Sequence, residues 1–427
     1  MRLAAIGLAA GSLAGCGGGS GGVSGGSGSP HSTGQVIASA AANVAPLVVD
    51  CGPNCSSNAT VNEAFVTVTV CQPGSTTNCQ TFDHIQVDTQ SYGLRLLADA
   101  TDTSGALLNT AHYPAEQPAS GEILAECTVF ADGYSFGEVA TADVQISAES
   151  ASSVPVQIIG SPSTLSVPTD CQSTGTAENT VSAFGGNGIL GVGVFIHDCG
   201  AACAPGGSAS PTYYYDCSTA SGTCTDSTVV LTQQVSNPVV AFQTDNNGVV
   251  VELPPLTAAG ASTVTGALVF GIDTEGNNGL GGATVFDAGS TGSIMTEFES
   301  QSLSDSILDT GSNAFYFDDS SLAQCQSSLV GFYCPTSTVS LSATISGASA
   351  ATGGTSRNVN FSVANAQNLN GNFSAFDNLA GPITSGLQSA ASGGIFDWGL
   401  PFFYGRNVFV AIENANTSGG TGPFFAF

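Results

Sequence analysis

Lysine is missing from this 427-residue chain, and four arginines (Arg2, Arg95, Arg357 and Arg406) are its only strong bases. Against 32 acids they leave a formal net charge of −28. That excludes a nucleic-acid binder, which needs a basic footprint, and electrostatic docking on anionic lipid. Charge of either sign is scarce, at 8% of residues where roughly 25% is ordinary. Beyond the N-terminus no apolar run is long enough to cross a membrane as a helix. No Cys-x2-Cys pair occurs, and His31, His84, His112 and His197 do not cluster, so a structural zinc site is disfavoured. Neither metal nor cofactor is expected. What is present is 55 glycines, abundant serine and 42% hydrophobic residues. That is enough apolar material for a sizeable core, in two or three domains, and the composition favours strands and turns over helices.

The first residues read as a processing signal. Met1-Arg2 is a short positive start, and Leu3 to Leu13 is an apolar run of signal-peptide length. It ends in Leu13-Ala14-Gly15-Cys16, which resembles a bacterial lipobox. The resemblance implies cleavage of residues 1–15 and lipidation of Cys16. Residues 16–42, nearly all Gly and Ser as far as Ser29, read as a flexible tether. The expected location is the bacterial cell envelope, as an outer-membrane lipoprotein facing the periplasm or the surface. The membrane would be met through the lipid only. Thirteen cysteines less Cys16 leave twelve, which in an exported protein suggests six disulfides. The close pairs are Cys51 with Cys55, Cys71 with Cys79, Cys199 with Cys203, Cys217 with Cys224, and Cys325 with Cys334. Cys127 and Cys171 remain and are free to pair with each other, although spacing alone does not prove the connectivity.

Period-2 and β-branched runs recur between Gly, Pro, Asn and Asp, for example Ala64 to Val70, Val139 to Ile146, Val249 to Leu253 and Val339 to Ile345. The best helical pattern is short, Ser321 to Leu329. The expected fold class is all-β, in two barrels or sandwiches.

Two segments share one design. His84 to Val87 runs into Asp88-Thr89-Gln90-Ser91, and Ser306 to Leu308 runs into Asp309-Thr310-Gly311-Ser312. Each is an apolar strand, an Asp-Thr-x-Ser turn and an apolar return. A single such turn is a weak signal, and each Asp alone reads equally well as an ordinary turn acid. The pair, in a chain of this type, resembles the pepsin-like aspartic peptidases, in which each lobe supplies one Asp. It is also similar to a group of cysteine-rich bacterial lipoproteins with the same double frame. Further frames agree in order. Cys127 to Gly137, with Phe130, Asp132, Gly133 and Tyr134, resembles the flap hairpin over the cleft. Asn187 to Gly193 resembles the apolar-apolar-Gly segment beneath the first Asp. Gly266 to Asp273 is similar to the strand opening the second lobe, and Trp398 to Glu413 to the closing segment.

The resemblance implies a bilobed pepsin-like fold, with lobes at 43–235 and 236–427, and an aspartic endopeptidase dyad of Asp88 and Asp309. Two adjacent carboxyls cannot both ionise cheaply, so they share a proton. The charged one activates a water and the neutral one hydrogen-bonds the scissile carbonyl. Thr89 and Thr310 would brace the two loops, Gly311 would allow the turn, and Ser91 and Ser312 would bond the outer carboxylate oxygens. The substrate would be an extended polypeptide, and the protein a monomer.

Departures from the family pattern leave an alternative open, a catalytically inactive pepsin fold that binds peptide or an envelope protein. A third reading is a purely structural lipoprotein. Gln90 replaces a Gly and is expected to reshape the first loop. Phe130 replaces the flap Tyr, and Tyr134 is a candidate substitute. Pro401 is read at the glycine position of the second apolar-apolar-Gly segment. Arg95 replaces an aromatic and is expected to pair with an acid.

Overall fold

β-Branched and aromatic residues alternating with Ser, Thr and Asn build strands almost everywhere in the computed structural model, which describes residues 37–118, 122–209, 213–326, 329–349, 355–383 and 394–427. The signal sequence, Cys16 and the tether as far as residue 36 lie outside the described residues. The hairpin of Val339–Ser346 and Ser356–Val363 shows how strands form with so little charge. Its buried side chains are mainly Ala343, Ile345, Val359, Phe361 and Val363, while Ser and Asn take most of the outward positions.

One sheet of sixteen strands carries all the long strands of the first lobe and continues into strands from the second half. The junction is Val44–Val49, which lies antiparallel to Val264–Phe270 in an unbroken register from Val44↔Val269 to Val49↔Val264. Beyond it follow Gly248–Leu253, Arg406–Ala411, Phe424–Ala426 and Val285–Asp287. A separate seven-stranded sheet belongs wholly to the second lobe and holds Gln301–Leu308, the strand that delivers Asp309. The fold is therefore the expected all-β, two-lobed one, stitched through a shared sheet. The expected helix at Ser321 to Leu329 does not form over residues 321–326, which are a turn, a bend, a bridge and irregular chain, while Leu329 lies in a 3-10 turn. That segment is held by the Cys325–Cys334 bond and the Gln324↔Tyr333 bridge, which override its weak helical pattern.

Trp398 is buried at the centre of the second lobe, stacked on Phe396 at 4.1 Å, and donates from Nε1 to Thr296 Oγ1 at 3.0 Å. Phe402, Phe403 and Tyr404 are core residues. All six disulfides form in the expected pairs. Cys51 bonds to Cys55 and Cys199 to Cys203, each across 4 residues. Cys217 bonds to Cys224, Cys71 to Cys79 and Cys325 to Cys334, across 7, 8 and 9 residues. The bond between Cys127 and Cys171 closes the one long loop among them, of 44 residues. By chain entropy the long loop contributes about 4 kcal/mol, against about 2 for the shortest. That bond ties the strand Ile123–Val129, which leads to the flap tip, to the short helix Thr169–Gln172. The stretch from Cys199 to Cys224 adds the hairpin of Tyr214–Cys217 and Cys224–Ser227 to the outer edge of the same strand. Cys55 and Cys203 each staple a tight turn in a loop, so their bonds fix local shape and join no two strands.

Candidate functional site

The strand Cys79–Asp88 ends at Asp88, and Gln301–Leu308 ends one residue before Asp309. Both turns then fold back so that a backbone N–H two residues on caps the carboxylate. Gln90 N donates to Asp88 Oδ1 at 2.7 Å, and Gly311 N donates to Asp309 Oδ1 at 2.8 Å. The loops interlock through their threonines. Thr89 Oγ1 donates to Leu308 O (2.8 Å) and accepts from Thr310 N (3.0 Å). Thr310 Oγ1 donates to Val87 O (2.7 Å) and accepts from Thr89 N (3.1 Å). These reciprocal bonds hold the Asp88 and Asp309 carboxyls near enough to influence each other's ionisation.

Gln90 does not reshape the first loop. Its backbone φ is not left-handed, and its N–H makes the same bond as Gly311. Its side chain adds a link that glycine lacks, from Nε2 to Leu308 O across the lobes at 3.1 Å. Arg95 is buried and paired as expected, 2.6 Å from Glu126 and 3.4 Å from Asp198. Ser312 bonds the outer oxygen of Asp309, Oδ2, at 2.8 Å. Ser91 stands near enough to Asp88 to pull its pKa down, but its hydroxyl and Asp88 Oδ2 are not aligned in a hydrogen bond.

The two frames can be superposed by register. Asp88 lies opposite Gly191, Val87 opposite Leu190 and Gln86 opposite Ile189. In the second lobe Leu308 lies opposite Trp398 and Ile307 opposite Asp397. The glycine under the second loop is therefore Gly399, and Pro401 lies two residues beyond it. A Cβ on Gly399 would stand 2.1 Å from Ala314 O, as one on Gly191 would stand 2.3 Å from Tyr92 N. Both positions require glycine because the loop backbone passes directly overhead. The same register puts Asp397 where the first lobe has Ile189. Sequence reasoning missed this third acid because it stands at a position that the first lobe fills with an apolar residue.

Asp88, Asp309 and Asp397 are 0%, 2% and 0% exposed. Burial raises the pKa of Asp88, against the influence of nearby Ser91 and the bond from Gln90 N. Asp309 is pushed well above the ordinary range by burial and by the neighbouring carboxyls of Asp88 and Asp397. Asp397 is likewise raised by burial, with Ser312 acting against it and Asp88 adding to it.

The hairpin that resembles a flap reaches the second lobe. Ile123–Val129 and Gly133–Ile146 form the hairpin, and Phe130 N donates to Gly133 O at 2.8 Å across its tip. Ala131 at the tip packs with Ile307, Ala314 and Tyr316 of the second lobe. Phe130 meets Phe184 edge-on at 5.8 Å. Tyr134 does not substitute for a flap tyrosine, because it sits in a separate cluster around Cys127–Cys171 and Tyr215. Asp132 interacts with Glu178 and Glu63, and this crowding joins burial to raise Glu178 to about 10 and Glu63 to about 8. Gly133 is pressed against Thr176 O, which a Cβ would approach to 2.4 Å. Beside Glu63, Asn62 bolts the lobes together. Its Nδ2 donates to Asn313 O (2.8 Å) and Phe376 O (2.9 Å), and its Oδ1 accepts from Phe376 N (2.8 Å). Nothing in the sequence marks that role. Among the described residues no three His, Cys, Asp or Glu side chains are grouped to hold a metal ion.

Residues 39–427 match the model of a protein family described as a protein of unknown function, DUF3443. The chain belongs to this family. No curated protein matches it in sequence. Among solved structures it is similar to the aspartic proteinase from Irpex lacteus, at 15% identity and a TM-score of 0.48, over 90% of this chain and 96% of that one. What bears on the chemistry of this DUF3443 member is accordingly the site itself: two interlocked Asp-Thr-x-Ser loops, a third acid behind one of them, and a first-lobe hairpin whose tip packs into a cluster of the second lobe.

Proposed function

We propose that the protein is an aspartic-type endopeptidase whose resting form is closed. The observation that supports this most directly is the reciprocal bonding of Thr89 and Thr310, which holds Asp88 against Asp309. In that arrangement one carboxyl stays protonated and hydrogen-bonds the carbonyl of an extended polypeptide. The other takes a proton from the attacking water, which adds to the carbonyl carbon, and a proton passed to the amide nitrogen lets the C–N bond break. Substrate entry requires the flap to lift from Ile307, Ala314 and Tyr316. By the N-terminal pattern the enzyme would be a monomer held in the bacterial envelope through a lipid on Cys16, needing no cofactor.

The test is cleavage of a denatured-protein mixture by the full-length mature chain across pH 3 to 8. Asp309→Asn and Asp88→Asn should each lower the rate at least about a hundredfold while leaving the fold intact. Cleavage that survives either substitution rules out the dyad. The complete burial of the dyad favours a second reading, an inactive fold that binds peptide or an envelope protein. Wild type that retains peptides in a pull-down and cleaves none at any pH would support it.

A further inference from the structure

Asp397 stands at a position that the otherwise matching first-lobe frame fills with Ile189. A buried carboxyl in place of an aliphatic side chain is costly unless something compensates. Its hydrogen-bond partner is informative. Ser312 Oγ lies 2.6 Å from Asp397 Oδ2 and 2.8 Å from Asp309 Oδ2. A hydroxyl has a single proton to donate, and an ionised carboxylate can only accept. Ser312 can satisfy both contacts only if one of the two carboxyls is protonated and donates to it.

The surroundings decide which one. Asp309 accepts from Gly311 N as well as facing Ser312, a setting that suits an anion. Asp397 Oδ1 has no hydrogen-bond partner among the described residues, so a charge there would be unsupported. The ionisable groups facing Asp397 are Asp88 and Asp309 from the two loops and Tyr316 from the strand beside it, with which Asp397 is in register. Tyr316 is held by Asn313 Oδ1 and is in turn influenced by Asp132 at the flap tip. Arg95 is engaged with Glu126 and Asp198, while Arg357 and Arg406 line a separate pocket behind Phe402.

We infer that Asp397 is a positioning residue, a neutral acid that donates to Ser312, which in turn donates to Asp309. The site then holds two protons on three carboxyls. Asp397 holds one of them, and the Asp88–Asp309 pair shares the other. Resting on the peptidase reading, this leaves the Asp88–Asp309 pair to take the proton from water and to meet the scissile carbonyl, with Asp397 outside that exchange. The inference about the protons themselves stands without catalysis.

The experiment is carboxyl titration by carbon NMR on the full-length protein labelled at aspartate. The variants are Asp397→Asn, Asp397→Ile and Ser312→Ala. Wild type should show Asp397 protonated and the Asp88–Asp309 pair holding a single shared proton at pH 6. Asp397→Asn retains a neutral donor to Ser312, so the Asp309 titration should stay near that of wild type. Asp397→Ile removes the donor and should move the Asp309 midpoint upward by about one pH unit, a tenfold change in its protonation equilibrium. Ser312→Ala should move it the same way. An ionised Asp397 at pH 6, or a downward shift of Asp309 in both Asp397 variants, would overturn the assignment. So would the absence of any shift in Asp397→Ile, which would leave Asp397 a packing residue. If wild type cleaves substrate, the acid limb of kcat/KM should follow the same order. If it cleaves nothing, the peptidase reading fails and the titration still decides the proton count.

Discussion

The two aspartate loops are built to one plan and secured in different ways. The first loop is tied to the opposite lobe by Gln90 reaching Leu308 O. The second is held from within its own sheet, by Ser312 bridging Asp309 to Asp397. Surplus carboxyls accompany both, Glu63, Asp132 and Glu178 around the flap and Asp397 under the second loop. The difference is mechanical. Glu63, Asp132 and Glu178 come from three separate segments that meet at the hairpin tip, whereas Asp397 is fixed in a strand within the core of the second lobe. On the closed-peptidase reading, protonation of the first set would bear on opening, and of the second on the state of one catalytic candidate.

The largest effect that sharpens this contrast is on pH-dependent stability. Glu63 is raised to about 8 and Glu178 to about 10 in the closed structure, both by burial first and then by Asp132. An acid whose pKa is raised on folding binds its proton more tightly in the closed state. Its contribution is complete below the ordinary carboxyl range near pH 4.5 and is lost as pH rises through 8 for Glu63 and on towards 10 for Glu178. Each group costs up to about 1.4 kcal/mol per pH unit in that window. Denaturant unfolding at pH 5 and pH 8 should show wild type losing several kcal/mol, and Glu63→Gln losing clearly less. Parallel curves for the two proteins would mean that these acids do not hold the flap. Closing most firmly in acid sets the flap against the acid preference of the dyad, so activity should peak between the two demands.

A smaller effect tests whether the frames really match. Gly191→Ala and Gly399→Ala each drive a Cβ into loop backbone, at 2.3 and 2.1 Å. Each should cost about 1–3 kcal/mol in chemical denaturation. A neutral Gly399→Ala would break the equivalence and with it the placement of Asp397. The smallest effect is at Gln90. Gln90→Gly removes one interlobe bond and should cost about 1 kcal/mol without raising peptidase activity. A gain in cleavage would restore the reading that Gln90 disables the first loop.

The parts of this site that sequence exposes are those where residue type and spacing are both constrained. The Asp-Thr-x-Ser turns qualify, since only a short hydroxyl side chain two bonds from the backbone can bridge the loops. So do the cysteine pairs, whose short separations leave few partners within reach. Asp397 is hidden because a strand pattern reports which face is buried, and an acid on that face reads as an exception until its partner is seen. Reading Pro401 at the glycine position shifts the frame by two residues and moves attention past it. The closed flap is illegible for another reason. Period-2 alternation through Gly133–Ile146 says nothing about whether Ala131 meets solvent or the other lobe. Gln90 is easily over-read, because its backbone is not left-handed and its side chain finds a partner across the lobes.

The junction of Val44–Val49 with Val264–Phe270 also bears on how the chain is made. Ribosomes deliver the first of these strands about two hundred residues before the second, a delay of roughly 10–40 s at ordinary elongation rates. Throughout that interval one long flank of Val44–Val49 has no partner, and a bare β-edge recruits neighbours from other nascent chains. Pro46, in the middle of that strand, does not protect this flank, because alternation puts its missing N–H on the other side, where Val44 O meets Ser147, while Asn43 O meets Phe270 N on this one. The waiting edge is thus covered only when Val264–Phe270 arrives.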